Sequence, residues 1–258
     1  MKKKVLDWFK STSYWKSIVS IDIRVVYATL FDGIFIGLLY LISLFIGSIL
    51  GLIDFSAVNS LQTNPENIDA FSGVVSAMTK FMLNMILFFI LIVGSLSITR
   101  LLIYNTILKK KFSWKKYLWI SIAYLGYVIL FMLFIGIVSK IVYPEMVGYV
   151  SLIFLLILIY VVSIFNIHFV EKGKISAIKS SWNMAFGKIH LILPKMLLAM
   201  LTILIVFGIV HNIFLLLNYS LNPTTAYIIS IVETGVFLFL LAWMKSYNSI
   251  VVVKLLKR

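Results

Sequence analysis

The chain has 258 residues, 62% of them hydrophobic, with a mean hydropathy of +1.08 and a net charge of +14. Ordinary soluble domains are roughly half apolar, so this composition excludes a soluble fold. The positive charge does not by itself indicate a nucleic-acid partner, because no recognition-helix or base-stacking motif accompanies it. The absence of cysteine excludes disulfides and thiolate chemistry.

Six apolar runs, each near the length that crosses about 30 Å of hydrocarbon, follow one another along the chain. The runs do not alternate polar and apolar residues as the strands of a membrane barrel do. The sequence therefore predicts an all-α polytopic helical membrane protein, whose six transmembrane helices form three hairpins. The predicted spans are residues 27–53, 81–103, 120–139, 149–170, 196–217 and 226–244.

The N-terminal arm, residues 1–26, is expected to lie in the cytoplasmic membrane interface because it mixes lysines with large apolar side chains. Those side chains are Trp8, Phe9, Trp15 and Ile18. The apolar run that follows is too long, and begins too late, for a cleaved signal peptide, so we interpret it as an uncleaved signal anchor. The transmembrane domain then covers 27–244, and 245–258 form a basic cytoplasmic tail.

Basic residues determine the expected orientation. Of the 23 lysines and arginines, all except Lys80 and Lys140 fall on one side of the predicted membrane. They lie in the arm, in the tail, or in and beside the connections between spans two and three and between spans four and five. Because cytoplasmic segments are enriched in Lys and Arg, we expect a multi-pass plasma-membrane protein with both termini in the cytoplasm. The same lysines predict contact with anionic headgroups, which makes the lipid bilayer the expected partner.

The first two spans carry opposite charges near the same end. Asp32 lies about one and a half turns inside the first span, and Arg100 lies near the inner end of the second. A carboxylate in hydrocarbon is costly unless it has a partner. The sequence therefore predicts an ion pair between Asp32 and Arg100, which either stabilises the first hairpin or forms a site reached from the cytoplasm.

Two short segments, 111–119 and 174–182, share the pattern K-[F/I]-S-x-x-K-x-x-W, and each follows a long apolar run. The serine of the pattern can cap a helix N-terminus, and its final tryptophan suits the membrane interface. Both segments are therefore predicted to be cytoplasmic interfacial elbow helices. The serines are Ser113 and Ser176, and the tryptophans are Trp119 and Trp182.

In the second elbow, one helical face is apolar and the lysines lie off it, as in a helix that lies flat in the interface. This face comprises Ile178, Trp182, Ala185, Phe186 and Ile189.

An aromatic–Asn pair also follows or ends the second, fourth and sixth spans. The asparagines are Asn105, Asn166 and Asn248. One interpretation is that an interfacial helix, a hairpin and an Asn-containing exit form a unit that the chain repeats three times. The alternative is that lysine, serine and tryptophan are simply common at inner membrane surfaces.

The segment EKGKISAIKSSWNMAFGKIHLIL, which contains the second elbow, resembles part of a polytopic family that includes the membrane domain of glycerophosphoryl diester phosphodiesterases. The shared pattern is E-x-G-x-x-x-A-x-x-x-S-W-x-x-x-x-G. It is carried here by Glu171, Gly173, Ala177, Ser181, Trp182 and Gly187. The soluble phosphodiesterase domain of those enzymes has no counterpart in the chain. The resemblance therefore implies the membrane fold without the catalytic activity.

The fifth and sixth spans each carry one ionisable side chain, His211 and Glu233. Both lie about 10 Å below the outer span ends, at a rise of ~1.5 Å per residue. The short connection predicts that the two helices are antiparallel neighbours. We therefore expect the two side chains to meet, with Asn212 and Thr234 extending a polar cluster. The cluster is either a hairpin-locking contact or a proton-sensitive or substrate-contacting site.

The sequence lacks the motifs of intramembrane enzymes: there is no H-E-x-x-H, no G-x-S-x-G and no phosphate-binding loop. Its three histidines are scattered, so neither a metal site nor a cofactor is expected. We expect a non-enzymatic integral membrane protein that acts on or with lipids at the inner leaflet. The alternative is a transport permease, alone, as a homo-oligomer, or as the membrane subunit of an ATP-driven exporter whose ATPase docks on 174–190.

Overall fold

A computed structural model describes residues 12–19, 21–53, 56, 68–173, 176–218 and 223–256. No strand occurs among these residues. Their helices are α1 (Ser13–Val19), α2 (Ile23–Leu50), α3 (Ile68–Leu108), α4 (Trp114–Ile141), α5 (Pro144–Lys172), α6 (Ala177–Gly187), α7 (Ile189–Asn218) and α8 (Pro223–Leu256). Six of them, all except α1 and α6, are long and apolar enough to cross a membrane. The predicted all-α polytopic fold is confirmed.

The crossing helices extend beyond the predicted spans, because the residues that follow an apolar run continue its helix. α3 continues to Leu108, α5 to Lys172 and α8 to Leu256. The Tyr, Asn and Lys residues at these exits are tolerated in a helix, and no glycine or proline stops it earlier. Residues 245–256, which were expected to form a tail, are therefore the last turns of α8.

The chain divides into two compact units. The larger comprises 1–33 and 98–258, and the smaller comprises 34–97, which holds most of α2 and of α3. In the smaller unit Ile42 and Val93 are buried, while many other apolar side chains are exposed, as expected for helices covered by lipid. Every predicted site residue belongs to the larger unit.

The core of the larger unit lies at the end where α2, α4 and α7 begin and α3, α5 and α8 end, here called the basic end. On α5, residues 164–170 are all buried, so no face of this helix is open at that level. α3 contributes Leu101 to the same core, and α8 contributes Tyr247, Val251 and Val252. The basic end is therefore the packed end of the unit.

Two residues with left-handed backbone conformation end helices at the basic end. Lys109, with a φ of 56°, follows α3, and the Lys110 N–H closes a Schellman motif by donating to Asn105 O at 2.8 Å. Gly173, with a φ of 66°, follows α5, and its N–H donates to Phe169 O at 2.7 Å. Glycine adopts this conformation freely, whereas a lysine does so at a cost.

Two lysines hold the start of α4 and the end of α3 against the end of α5. Lys116 Nζ donates to Val170 O at 3.3 Å, and Lys110 Nζ lies 3.3 Å from the Glu171 carboxylate. A Cβ on Gly173 would lie 3.2 Å from Lys116 Cε. Glu171 and Gly173 therefore shape the exit of α5.

The predicted first elbow is instead the first turns of α4. This helix begins at Trp114 and continues unbroken through Trp119 to Ile141. Ser113 occupies its N-cap position, but the hydroxyl makes no capping hydrogen bond to a described residue. No glycine or proline separates 111–119 from the span that follows, so the backbone has no reason to turn there.

The predicted second elbow is a separate helix, α6, which ends at Gly187. Ser176 occupies its N-cap position, again without a capping hydrogen bond from its hydroxyl within the described chain. The face buried against the bundle differs from the predicted apolar face. It consists of Ala177, Ser181, Met184 and Ala185.

Small side chains allow α6 to approach α5 closely, as they do between transmembrane helices in general. The Tyr160 hydroxyl on α5 donates to Ala185 O at 3.0 Å. The larger Trp182 is only partly buried and stacks on exposed Phe186, with 5.6 Å between ring centroids. The bulky aromatic side of α6 therefore remains available to the membrane.

Tyr14 packs helix α1 on the bundle. The hydroxyl oxygens of Tyr14 and Thr202 are 3.0 Å apart. The Tyr14 ring makes edge contacts with Trp243 and Tyr247 on α8, with centroid distances of 5.8 Å in both cases. The arm is thus held by the protein itself, which its basic and apolar pattern did not predict. Two predicted interfacial residues, Trp8 and Phe9, lie outside the described residues.

Candidate functional site

The carboxylate of Asp32 lies between two cations near the basic end. Arg100 Nη1 donates to Asp32 Oδ1 at 2.7 Å, and Lys245 Nζ donates to Asp32 Oδ2. The side chains of Asp32, Arg100 and Lys245 are 5%, 20% and 13% exposed. The structure thus brings together the predicted pair and adds Lys245 to it.

Three helices position this ion cluster. Asp32 lies early in α2, whereas Arg100 and Lys245 lie late in α3 and α8. Because α2 begins at the basic end and the other two helices end there, the three residues lie at the same depth below this end. One carboxylate shared by two cations leaves a net positive charge, which is costly in apolar surroundings and requires further polar partners.

A buried polar contact joins α4 and α5 at the same end of the unit. The Tyr124 hydroxyl donates to Asn166 Oδ1 at 2.8 Å, and both side chains are buried. The ion cluster is therefore not the only polar feature of this core.

Further polar side chains are buried at the basic end, among them two asparagines and one histidine. Asn105 and Asn248 are each 4% exposed, and His168 is 1% exposed. The Asn105 amide, both His168 ring nitrogens and Asn248 Oδ1 have no hydrogen-bond partner among the described residues. The aromatic–Asn pattern thus marks interior positions of α3, α5 and α8 rather than points where the chain leaves the membrane.

A second polar contact joins α7 and α8 away from the basic end. His211 Nδ1 contacts Glu233 Oε1, so the structure brings these two predicted residues together. Their side chains are 47% and 20% exposed, and the Phe207 ring stacks on the imidazole with centroids 6.1 Å apart. A carboxylate in this position is less costly with an imidazole partner than alone.

Asn212 and Thr234 do not join this pair. Asn212 Nδ2 donates to Gly208 O at 2.7 Å, and Thr234 Oγ1 donates to Ser230 O at 2.8 Å. Each side chain therefore satisfies its polar group on its own helix, as is usual for short polar residues within apolar helices. The predicted cluster is reduced to His211 and Glu233.

Lys245 is the site residue that the sequence analysis missed, because the sixth span was predicted to end at 244. A signal was nevertheless present. Lys245 closely precedes an aromatic–Asn pair, Tyr247 and Asn248, as Arg100 precedes the corresponding pair at the end of α3. Because Arg100 and Lys245 each come a few residues before an aromatic–Asn pair, both could have been assigned as partners of Asp32, the single carboxylate of the first span.

The described residues contain no group of three or more His, Cys, Asp or Glu side chains that could hold a metal ion. Comparison with known proteins adds no identity: no protein-family model, no curated protein and no solved structure matches the chain. The function is therefore inferred from the charges and contacts of the molecule itself.

Proposed function

We propose that the protein is a non-enzymatic integral membrane protein that binds anionic lipids of the inner leaflet through its basic end. The observation that supports this proposal is an imbalance of charge. Each acidic side chain described at the basic end is already paired within the protein. The pairs are Asp22 with Arg24, Asp32 with Arg100 and Lys245, and Glu171 with Lys110.

The other exposed lysines at this end have no acidic partner within the described chain. They include Lys111, Lys115, Lys172, Lys179 and Lys254. Each lysine near an anionic membrane surface contributes about 1 kcal/mol of attraction, and this attraction weakens as salt screens it. The exposed rings of Trp114 and Phe186 lie at the same end, where aromatic side chains favour the headgroup level.

Helix α6 supports the same proposal. Ala177 and Ser181 dock it on the bundle, while Lys179 is exposed. The helix is thereby held with the Lys179 cation and the exposed Phe186 ring turned away from the protein core. This arrangement suits contact with a surface of anionic lipids.

The test is a lipid-selectivity measurement on the full-length protein in phosphatidylcholine bilayers. Spin-labelled phosphatidylglycerol and spin-labelled phosphatidylcholine of equal chain length are compared by electron paramagnetic resonance. We expect a larger motionally restricted fraction for phosphatidylglycerol, and we expect the excess to shrink as salt is raised. Equal restricted fractions at low salt would contradict the proposal.

A transport permease is the second candidate. It is favoured by the ion cluster at Asp32 and by the His211–Glu233 pair, because ionisable groups within apolar helices often mark substrate or proton pathways. In an exporter, α6 is the surface on which an ATPase subunit would dock. Purification in mild detergent tests this candidate, since a stoichiometric ATPase would favour the exporter over a protein that only binds lipid.

A further inference from the structure

A groove of about 500 Å³ opens at the basic end between the start of α2 and the ends of α3 and α8. Its walls include the polar side chains of Arg24, Lys254 and Ser246, with Ile107 and Val253 as apolar neighbours. Small-molecule sites typically have volumes of about 300–1,000 Å³ and combine apolar walls with a few polar groups. The groove therefore has the size and the mixed lining of a binding site.

The charge of the groove is positive. Asp22 also lines it, but this carboxylate is occupied: Arg24 Nε donates to Asp22 Oδ2 at 2.6 Å, and the Arg24 backbone N–H donates to Asp22 Oδ1 at 2.9 Å. The hydrogen bond from Arg24 holds the pKa of Asp22 below its ordinary value, and Lys109 contributes in the same direction. Lys254 is exposed and has no acidic partner among the described residues.

The length of α2 indicates the depth of the groove in the membrane. Its 28 residues correspond to ~42 Å at ~1.5 Å per residue, and a bilayer with its headgroup layers is about 40–45 Å thick. The first turn of α2, which carries Arg24, therefore reaches the headgroup level. Asp32 lies about 12 Å deeper. The deep end of the groove, at Ser246, approaches that level, but Asp32, Arg100 and Lys245 do not line the groove.

We propose that this groove binds the phosphate-bearing headgroup of an anionic phospholipid, with Arg24 and Lys254 on the phosphate. Ile107 and Val253 flank the phosphate at the level of these two cations. The deeper part of the groove, lined by Ser246 and Ile250, contacts the glycerol and the upper acyl chain. This inference rests on the proposed function, because it names the place where the basic end binds its lipid. Arginine and lysine are both suited to phosphate, the first through its planar fork and the second as a point charge.

The experiment uses the full-length protein in a neutral detergent and native mass spectrometry. The probes are phosphatidylglycerol and phosphatidylcholine with identical acyl chains. We expect Lys254→Gln to lower phosphatidylglycerol affinity about 5-fold, and the double variant Arg24→Gln/Lys254→Gln roughly 30-fold, because each cation near the lipid contributes about 1 kcal/mol. Phosphatidylcholine binding is expected to stay at the wild-type level.

Two further variants separate position from charge. Lys140→Gln removes the same charge at the opposite end of α4, and we expect it to leave phosphatidylglycerol affinity unchanged. Ser246→Phe fills the groove without changing its charge, and we expect it to lower affinity as much as Lys254→Gln does. Because Arg24 also bonds Asp22, Lys254→Gln and Ser246→Phe decide the test if the double variant does not fold.

The outcomes are distinguishable. If the wild type does not prefer phosphatidylglycerol, the proposed function and the groove both fail. If it does, and if Lys254→Gln and Ser246→Phe leave the affinity unchanged as Lys140→Gln does, the groove is overturned and the proposed function stands. If glycerol phosphate displaces the lipid at equal concentration, the ligand is a soluble phosphate ester, which overturns the assignment to a membrane lipid.

Discussion

Lys245 on α8 donates to the carboxylate of Asp32 on α2, although 213 positions separate the two residues along the chain. Arg100 on α3 donates to the other oxygen of the same carboxylate. One acidic side chain therefore connects the first hairpin to the last. Its removal is more harmful than the removal of either cation, because it leaves two buried charges without a counterion.

We expect Asp32→Asn to destabilise the protein by about 3 kcal/mol, and Lys245→Met to cost clearly less, because Lys245→Met leaves a neutral Asp32–Arg100 pair. Unfolding in mixed detergent micelles, followed by circular dichroism, measures both. The double variant Asp32→Asn/Lys245→Met is the control and should recover part of the loss. An Asp32→Asn protein as stable as the wild type would show that the cluster does not hold the helices together.

A backbone prediction concerns Lys109, whose φ of 56° is unusual for a residue with a side chain. We expect Lys109→Gly to stabilise the protein by roughly 0.5–1 kcal/mol, because glycine adopts the left-handed conformation of a Schellman motif without steric cost. The measurement is the thermal midpoint in detergent. Lys110→Gly, which loses the Glu171 ion pair, is the matched control and should not stabilise.

The docking of α6 is tested at Ala185, which is fully buried and whose carbonyl accepts the Tyr160 hydroxyl. We expect Ala185→Leu to cost about 1–3 kcal/mol, because added side-chain volume at a close helix contact forces the helices apart. Emission from Trp182, in a variant with the other tryptophans replaced, should shift to longer wavelength as α6 loosens. Lys179→Leu, on the exposed side of α6, should leave the emission unchanged.

The face of α6 explains why part of the fold could not be predicted from sequence. Hydrophobic periodicity predicted the apolar face that an interfacial helix turns to the membrane, and two of its members, Phe186 and Ile189, are exposed. It did not predict the face that docks on the bundle, because small or polar residues such as Ser181 give no hydrophobic signal, although small residues let helices approach closely. Ala185, which was assigned to the membrane-facing set, is instead buried against the bundle.

Of the ion cluster, too, one part could be predicted from the sequence and another part could not. Asp32 and Arg100 could be paired from sequence, because both lie in apolar runs and a lone carboxylate requires a partner. Lys245 could not be added to this pair by hydropathy, because hydropathy marks where lipid contact ends and not where a helix ends. Beyond that point Val251 and Val252 pack on protein, and this packing continues α8.

For the contact between His211 and Glu233, a double-mutant cycle is the appropriate measurement. We expect a coupling of about 1 kcal/mol between His211→Ala and Glu233→Ala, because the two side chains touch across α7 and α8. His211→Ala combined with Thr234→Ala should show no coupling, since Thr234 bonds to its own helix. Equal coupling in both cycles would mean that the contact is not specific.

The orientation of the chain is open to direct chemical test, because the sequence contains no cysteine. Single cysteines are introduced as Tyr143→Cys, between α4 and α5, and as Lys179→Cys, on the exposed side of α6. We expect an impermeant thiol reagent to label only Tyr143→Cys in intact cells and both variants after lysis. Labelling of Lys179→Cys in intact cells would reverse the predicted topology.

The buried run 164–170 of α5 has a consequence for the biosynthesis of the protein. Its side chains are covered by helices that precede α5 in the chain and by α8, the last described helix to be translated. When α5 first enters the bilayer, Asn166 can already contact Tyr124 on α4, but the side of the run that packs against α8 still lacks its wall. A ribosome paused before α8 should hold a chain that crosslinks to insertion factors or lipid within 164–170, and release of α8 should end the crosslinking.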